Sequence, residues 1–398
     1  MKLLYMSCFD IAGSNGPGVN EYETVRELLR RLGEDVRFVI PKPSRHLPEL
    51  GPYETQFYYL YSENGGTAAT RVLFRKKAMI RAFSAACEDF KPELLLFRPV
   101  FCPSGQIRCA ELSGVPYVIK TLGKGVMNPF GKRKGLKSAA APLLLKHNKR
   151  LMRRLLGGAS AIDVSTTEYV TMFSAMFPEI KDKLHLIENA TNTNMFRPMD
   201  QAEARERTTL TGFTPIIGYT GGSPYTRGGR QMIESAPLLE KAFPNIGIVI
   251  VGPADDRLKK AAAESPCKNH IVLPGKVPYE QVPYYTNSFD VCVSFDTITN
   301  IASGGNSSQK VRQYLACGKP VLSSGGINTA FLTENRIGTV INNSDSIEAF
   351  AEGAIGLLSL SEVEKRAVCD RATAYATEKM SVRKAFDDRF AIWETCLK

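Results

Sequence analysis

Two short glycine-rich segments carry the residues best suited to bind an anion. Residues 221–229, GGSPYTRGG, follow an apolar run and contain Arg227, whose planar guanidinium suits a diphosphate. Backbone N–H groups at such a turn bind phosphate, and glycine lets the ligand come close. The alternative is an ordinary strand-to-helix turn with a surface arginine, and this segment alone leaves both interpretations open.

The second segment, residues 303–310, reads SGGNSSQK and leads into a predicted helix over 307–317. Ser307 or Ser308 can cap that helix, and Lys310 places a cation in its first turn. A lysine there opposes the helix dipole unless an anion compensates it. A solvated surface lysine is the alternative, but two such segments in one half of the chain are more specific than either alone. Together they predict a diphosphate site neutralised by Arg227 and Lys310.

Alternating strands and helices would position these segments. In the first half, the apolar runs predict strands at 2–8, 36–40, 94–97, 115–121, 161–165 and 185–187, with helices at 21–32 and 104–113. In the second half they predict strands at 216–220, 246–252, 271–273, 291–295, 320–324 and 338–341, with helices at 230–243, 307–317, 346–358 and 361–379. This repeating strand–helix–strand order is typical of parallel sheets.

The two series predict an α/β protein with two Rossmann-like parallel-sheet domains facing a central cleft. The first domain would span 1–190 and the second 198–381, while a C-terminal helix over about 382–398, with the only tryptophan, would pack back on the first domain. Ligands of such sheets bind beyond the carboxyl ends of the strands. We therefore expect residues 13–18, 221–229 and 303–310 to line the cleft.

Composition narrows the class of protein. With 398 residues, 43% of them hydrophobic and 23% charged, disorder is excluded. No apolar run of about 18 residues and no signal-peptide pattern occurs, which predicts a cytoplasmic protein. The nine cysteines show no zinc spacing and no Asp-x-Asp sequence exists, so we expect no metal and no bound cofactor. The net charge of +11 implies an anionic partner without identifying it.

Much of that charge lies in residues 132–156, where lysines and arginines alternate with leucines. A cationic amphipathic helix of this kind can lie on the inner face of a membrane. Two alternatives remain open: a helix that packs its leucines on the first domain, or a basic surface for an acidic acceptor. Nucleic acid is disfavoured as a partner because no aromatic stacking platform accompanies the basic residues.

Several segments together resemble the retaining GT-B glycosyltransferases of family 4. The most specific is SQKVRQYLACGKPV at 308–321, similar to the family signature S-P-x-K-x-x-E-Y-L-A-x-G-K-P-V. Residues 187–198, IENATNTNMFRP, resemble the interdomain segment I-x-N-G-V-D-x-x-x-F-x-P. Residues 221–239 resemble the phosphate-loop element, and GKVP at 275–278 resembles the G-x-V turn. Gly16 and Gly18 resemble the N-terminal glycine loop.

The resemblance implies metal-independent transfer of a sugar, of the hexosyl type, from a UDP- or GDP-linked donor. The acceptor would be a glycan or a lipid-linked molecule in polysaccharide or glycolipid biosynthesis. Arg227 and Lys310 would be the catalytic cations. The donor would be bound by Gly16, Gly18, Gly221, Gly222, Val277, Ser307, Ser308 and Gln313, with the base near Val277 and the ribose at Gln313. The acceptor would dock on the first domain, where Lys120 and Lys124 are candidate contacts.

Four departures from the family pattern bear on activity. The ribose glutamate is Gln313 here, the earlier acidic residue falls on Gly305, and the arginine after the first glycine is Gly222. No histidine follows the predicted strand at 115–121. An amide cannot make two charge-assisted bonds to a ribose. A catalytically weak or inactive nucleotide-sugar-binding relative that acts as a scaffold is therefore the alternative.

Overall fold

The chain forms two compact units in the computed structural model, one of residues Met1–Glu188 with Phe386–Lys398 and the other of Asn189–Ala385. The structure describes residues 1–13, 16–60, 68–128, 141–295, 309–325 and 329–397. Each unit is built around its own parallel β-sheet.

The N-terminal unit holds a seven-stranded sheet of order β3-β2-β1-β4-β5-β6-β7, parallel throughout its described pairings. Its strands are β1 (Leu3–Met6), β2 (Val36–Ile40), β3 (Phe57–Tyr59), β4 (Leu94–Phe97), β5 (Tyr117–Leu122), β6 (Ala161–Val164) and β7 (Leu184–Leu186). Its helices are α1 (Gly16–Leu32), α2 (Ala68–Phe90), α3 (Ser104–Ser113), α4 (Ala141–Gly158) and α5 (Thr167–Met176).

One face of this sheet is apolar and the other carries buried charges. Met6, Phe97 and Ile162 belong to an apolar cluster that includes side chains of α2 to α5. Successive strand residues point to opposite faces. Lys120 and Asp163, next to Ile119 and Ile162 of that cluster, are accordingly buried on the other side. The face opposite that cluster therefore carries buried charges together with buried apolar residues such as Leu94 and Leu96.

The C-terminal unit holds a six-stranded parallel sheet of order β10-β9-β8-β11-β12-β13. Its strands are β8 (Ile216–Thr220), β9 (Gly247–Val251), β10 (Ile271–Gly275), β11 (Val291–Ser294), β12 (Val321–Ser324) and β13 (Gly338–Ile341). Its helices are α6 (Gln201–Arg207), α7 (Gly229–Glu234), α8 (Ala236–Ala242), α9 (Asp256–Glu264), α10 (Val282–Ser288), α11 (Gln309–Ala316), α12 (Ala330–Glu334), α13 (Ile347–Leu358) and α14 (Glu362–Lys379). A further helix, α15 (Val382–Thr395), ends the chain.

The central strands of this sheet are buried on both faces. Ile217 and Tyr219 belong to one apolar cluster, whereas Ile216 belongs to the cluster on the other face. Continuous apolar strands of this kind are typical of sheets covered by helices on both sides. The predicted architecture of two Rossmann-like parallel sheets is confirmed.

Some predicted elements were wrong or missed. The helix predicted over 230–243 is two short helices that meet at Ser235. Pro237 explains the break, because proline lacks an N–H and its ring clashes with the carbonyl one turn earlier. The prediction also missed β3 and the 23-residue α2. The buried Met79, Phe83 and Phe90 follow helical spacing and could have revealed α2.

Candidate functional site

Three neighbouring strands of the C-terminal sheet end in glycines with a positive φ. Gly221 follows β8 with φ 145°, Gly252 follows β9 with φ 148°, and Gly275 ends β10 with φ 79°. A Cβ on Gly252 would lie 2.0 Å from the carbonyl oxygen of Gly221. The two turns therefore touch through their backbones, which only glycine permits at these positions.

Lys310 lies against the first of these turns. It is the second residue of α11, and it is 9% exposed. Its Nζ donates a hydrogen bond to Tyr219 Oη at 3.1 Å and lies 4.4 Å from the centroid of the same ring. A Cβ on Gly221 would be 3.6 Å from Lys310 Cε. The structure thus brings together Lys310 and Gly221, which the sequence predicted to share a site.

Tyr219 also fixes the backbone of Gly222. The tyrosine is fully buried, and its hydroxyl donates a 2.7 Å hydrogen bond to the Gly222 carbonyl. Gly222 itself is exposed. One tyrosine side chain at the end of β8 therefore contacts both the exposed Gly222 and the buried Lys310 of α11.

Arg227 is the last residue of a 3₁₀ turn, Pro224–Arg227, and its side chain is half-buried. Its carbonyl accepts a 3.4 Å hydrogen bond from the Phe295 N–H, just past β11. Gly228 packs so closely that a Cβ there would lie 2.7 Å from Val293. Residues 221–229 therefore form a compact turn. The helix that follows, α7, has only six residues, which corrects the expectation of a long helix opening from this loop.

Gln313 lies three residues after Lys310 on α11, and residues at that spacing share one helix face. Its Nε2 donates to Tyr279 Oη at 3.2 Å. The Tyr279 ring in turn packs on Phe196, with 5.6 Å between ring centroids. Val277, two residues before Tyr279, is half-buried in the same apolar cluster. The predicted base and ribose positions thus lie on one packed surface.

The remaining predicted donor residues lie in residues 303–310 and at the start of α1. Ser307 and Ser308 lie outside the described residues, as does Gly305, where the family has an acidic residue. In the N-terminal unit, Gly16 begins α1, and a Cβ there would meet no atom within 4 Å. A Cβ on Gly18 would lie 2.3 Å from the Gly13 carbonyl oxygen, so the turn before α1 requires glycine at that position.

Lys120 lies in a buried charge cluster of the N-terminal unit. Its Nζ donates to Asn20 Oδ1 at 2.8 Å and lies 3.6 Å from Glu21 Oε1. Arg98 Nε lies 3.5 Å from the same oxygen, and the Tyr5 hydroxyl donates to the other oxygen of Glu21. Lys124, by contrast, is exposed in the turn Lys124–Val126.

The pKa values of this cluster follow from its burial. Loss of hydration lowers the pKa of Lys120 to about 7, although the Glu21 carboxylate opposes that shift. Burial alone would raise the pKa of Glu21, but Lys120 and Arg98 hold it below its ordinary value. The Glu21 charge is therefore balanced inside the protein.

A second buried ion pair fixes the C-terminal helix. Arg389 of α15 donates to Asp163 Oδ2 of β6 at 2.6 Å, and both side chains are almost fully buried. Arg31 of α1 also contacts Asp387 of α15 at 2.7 Å. These contacts attach residues 386–397 to the sheet of the N-terminal unit.

The described part of the chain holds neither a cluster of metal ligands nor a helix that could span a membrane. Within residues 1–13, 16–60, 68–128, 141–295, 309–325 and 329–397, no group of three or more His, Cys, Asp or Glu side chains could hold a metal ion. Over the same part of the chain, no helix is long and apolar enough to cross a membrane.

Sequence reasoning missed the aromatic partners of one predicted cation, Lys310, and of the predicted ribose-binding amide, Gln313. Tyr219 supports Lys310 and Tyr279 supports Gln313, yet neither tyrosine was a candidate. Tyr219 could have been recognised as a candidate because it is the aromatic residue of the strand Ile216–Thr220 and stands two residues before Gly221. Glu21 was missed as the partner of Lys120 because 99 residues separate them along the chain (120 − 21).

Part of the chain matches a known protein family. Residues 200–374 match the family described as Glycosyl transferases group 1. A curated relative, GDP-mannose-dependent alpha-(1-6)-phosphatidylinositol monomannoside mannosyltransferase of Mycolicibacterium smegmatis, is 24% identical over 237 residues. That match covers 55% of this chain and 61% of the relative, so the chain spans less than two thirds of the relative's length.

Solved structures show the same fold over nearly the whole chain. Anabaena HepE in complex with UDP and glucose matches with a TM-score of 0.71 and 13% identity, covering 99% of each chain. WaaG, a glycosyltransferase involved in lipopolysaccharide biosynthesis, matches with a TM-score of 0.69 and 12% identity, covering 98% of this chain and 99% of its own. The chain therefore has the GT-B fold, and its residues 200–374 form a domain that matches the family described as Glycosyl transferases group 1.

Proposed function

We propose that this protein transfers a sugar, with retention of configuration and without a metal ion, from a UDP- or GDP-type donor to a glycan or lipid-linked acceptor. The observation that carries the proposal is the placement of Lys310 against the Gly221 turn inside the group 1 domain. The names of two similar proteins support the donor class, since one is GDP-mannose-dependent and the other was crystallised with UDP and glucose.

The chemistry needs charge neutralisation more than a protein nucleophile. As the bond from the sugar to the diphosphate breaks, negative charge grows on the leaving oxygen, and fixed cations near that oxygen lower the barrier. Lys310 and Arg227 would supply this charge, while the backbone N–H of the exposed Gly222 would bind the diphosphate and Gly221 would let it come close. Gln313 and Val277 would hold the ribose and the base.

We place the acceptor on the N-terminal unit, where Lys124 remains a candidate contact, whereas Lys120, the other predicted contact, is buried and could act only indirectly. Cytoplasmic localisation and a role in polysaccharide or glycolipid biosynthesis belong to the same proposal. Lys124 is exposed in its turn, whereas Lys120 would act from within the cluster that holds Asn20 and Glu21 near the Gly18 turn.

A donor panel tests the activity. The full chain is incubated with UDP-, GDP- and ADP-sugars, and the release of free nucleotide or sugar is measured. The change in Tm that each compound causes is measured separately, because a ligand of the native state raises Tm. We expect turnover with one UDP- or GDP-sugar. A Tm shift without turnover would favour the scaffold alternative, and no shift with any nucleotide would contradict the donor site.

Peripheral membrane contact is proposed for the segment 132–156, of which residues 141–156 are described. Helix α4 buries Met152 and Leu155 but leaves Leu143 71% exposed, next to exposed cations. Lys149 and Arg150 lie on that exposed surface. An apolar side chain among cations suits an interface with anionic lipids.

Flotation with vesicles of phosphatidylcholine and phosphatidylglycerol tests this contact. The double variant Lys149→Glu with Arg150→Glu should bind the anionic vesicles at least about tenfold more weakly, since each charge near the surface contributes about 1 kcal/mol. Lys259→Glu with Lys260→Glu, on the exposed surface of α9, is the matched control. Equal losses in both variants would argue against a specific role for α4.

A further inference from the structure

The side chain that joins Lys310 to the glycine turn is Tyr219, and its hydrogen bonds have a fixed direction. A tyrosine hydroxyl has one hydrogen to donate, and here it is directed to the Gly222 carbonyl at 2.7 Å. The phenolic oxygen therefore meets Lys310 as an acceptor, at 3.1 Å from Nζ. Lysine has no acceptor of its own, so this is the direction that both groups allow.

The ring makes a second contact with the same lysine. Nζ lies 4.4 Å from the ring centroid, within the range in which a cation is attracted to an aromatic ring. Because the phenol is neutral, neither contact with Tyr219 cancels the charge of the ammonium. The two contacts together fix the position of Nζ beside the turn.

Burial makes the arrangement rigid. Tyr219 is fully buried within the strand β8 and belongs to the apolar cluster of Ile217 and Ile250. Its hydroxyl would also lie 3.1 Å from a Cβ on Gly221, so the turn passes directly over it. One immobile group therefore sets the position of the lysine relative to the backbone of the turn.

We propose that Tyr219 is a positioning residue for donor binding. Through its bonds to Lys310 and to the Gly222 carbonyl, it fixes the position of the lysine relative to the glycine turn, so that both can contact one nucleoside diphosphate. This inference rests on the proposed function, because it assigns Tyr219 to the same diphosphate site.

The experiment is a double-mutant cycle on the full chain, with UDP and GDP as the probes and isothermal titration calorimetry as the readout. Lys310→Met keeps an unbranched side chain one atom shorter and removes its charge, and it should weaken binding of the better nucleotide about 30-fold. Tyr219→Phe keeps the ring and removes the hydroxyl, and it should weaken binding about fivefold. In the Lys310→Met background, Tyr219→Phe should weaken binding by less than about twofold, because residues that act together are not additive.

Tyr284→Phe is the matched control. Tyr284 also accepts a hydrogen bond from a cation, Arg207, at 3.0 Å, and the same guanidinium lies 4.7 Å from its ring. That pair lies away from the glycine turns in sequence, on α10 and α6. We expect nucleotide affinity to be unchanged in this variant.

The outcomes separate the two proposals. If wild type binds neither UDP nor GDP, the proposed function fails and Tyr219 loses its role with it. If Lys310→Met weakens binding but Tyr219→Phe weakens it by the same factor with and without Lys310, the tyrosine is merely structural and this inference alone is overturned.

A second variant covers the case in which Tyr219→Phe unfolds at a much lower temperature than wild type. 3-Fluorotyrosine at position 219 keeps the ring and the hydroxyl but weakens the oxygen as a hydrogen-bond acceptor. It should then give an affinity below wild type, and an unchanged affinity would contradict the proposal.

Discussion

The two units each bury a lysine beside a parallel sheet, and the described partners of the two lysines differ. Lys120 of the N-terminal unit lies 3.6 Å from the Glu21 carboxylate, within a cluster that also holds Arg98. Lys310 of the C-terminal unit contacts the ring and the hydroxyl of Tyr219, beside the Gly221 turn. The contact with a carboxylate ties Lys120 to the stability of its own unit, whereas the contact with Tyr219 fixes Lys310 at the edge of a proposed binding site.

The largest expected effect lies in the N-terminal unit. Asp163→Asn leaves the buried Arg389 without its carboxylate, and breaking a buried pair from one side costs about 3–5 kcal/mol of unfolding free energy. Urea unfolding would measure it. Glu203→Gln, in the exposed pair with Arg207, is the control and should cost less than about 1 kcal/mol. Equal losses would mean that the charges of the N-terminal unit are not structural.

The next effect lies in the C-terminal unit. Lys310→Met should lower kcat/KM for the sugar nucleotide about 100-fold, since the lysine would neutralise charge that develops in the transition state. Steady-state release of nucleotide measures it, with circular dichroism to show that the fold persists. A loss of less than about threefold would remove the distinction between the two lysines.

A pH effect should appear in the stability of the N-terminal unit. The pKa of Lys120 is lowered by burial to about 7, while in the unfolded chain it returns to about 10.4. Between these values the unfolded state binds more protons than the native state, so the contribution of Lys120 makes stability rise with pH by up to about 1.4 kcal/mol per unit. Below about pH 7 both states carry the proton, and this contribution becomes constant.

The measurement compares urea unfolding of wild type and Lys120→Met at several pH values between 7 and 9. The rise of stability with pH should be smaller in the variant, because other titrating groups are common to both proteins. Parallel curves would show that Lys120 keeps an ordinary pKa and that the Glu21 cluster balances its charge fully.

The smallest effect concerns Gln313. A carboxylate can form charge-assisted hydrogen bonds to ribose hydroxyls that an amide cannot, so Gln313→Glu should tighten UDP or GDP binding about fivefold. Calorimetry measures the change, and UMP or GMP serves to separate ribose contacts from diphosphate contacts. Weaker binding in the variant would show that the pocket is built around the amide and its bond to Tyr279.

The sequence predicts sheets better than it predicts contacts. Strands such as Ile216–Thr220 and Gly247–Val251 are short apolar runs, and their alternation with helices suffices for two parallel sheets. The turn after β8 and Lys310 could be predicted as parts of one site because each belongs to a glycine-rich segment. The contact of Lys310 with Tyr219 joins residues 91 apart and depends on how α11 packs, which no local pattern encodes.

Charge clusters were the least predictable feature. Lys120 reads as a polar residue near a strand end, but its environment is set by Glu21 of α1 and by Arg98 after β4. The break in the helix predicted over 230–243 could have been foreseen from Pro237, whereas the six-residue length of α7 depends on the packing of the turn at Gly228.

A crystal structure of the full chain with UDP or GDP bound tests the central claim most directly. We expect the diphosphate within hydrogen-bond distance of Lys310 Nζ and of the backbone N–H of Gly222, with Tyr219 still bonded to the lysine. A nucleotide bound elsewhere on the chain, with Lys310 making no contact to phosphate, would contradict it.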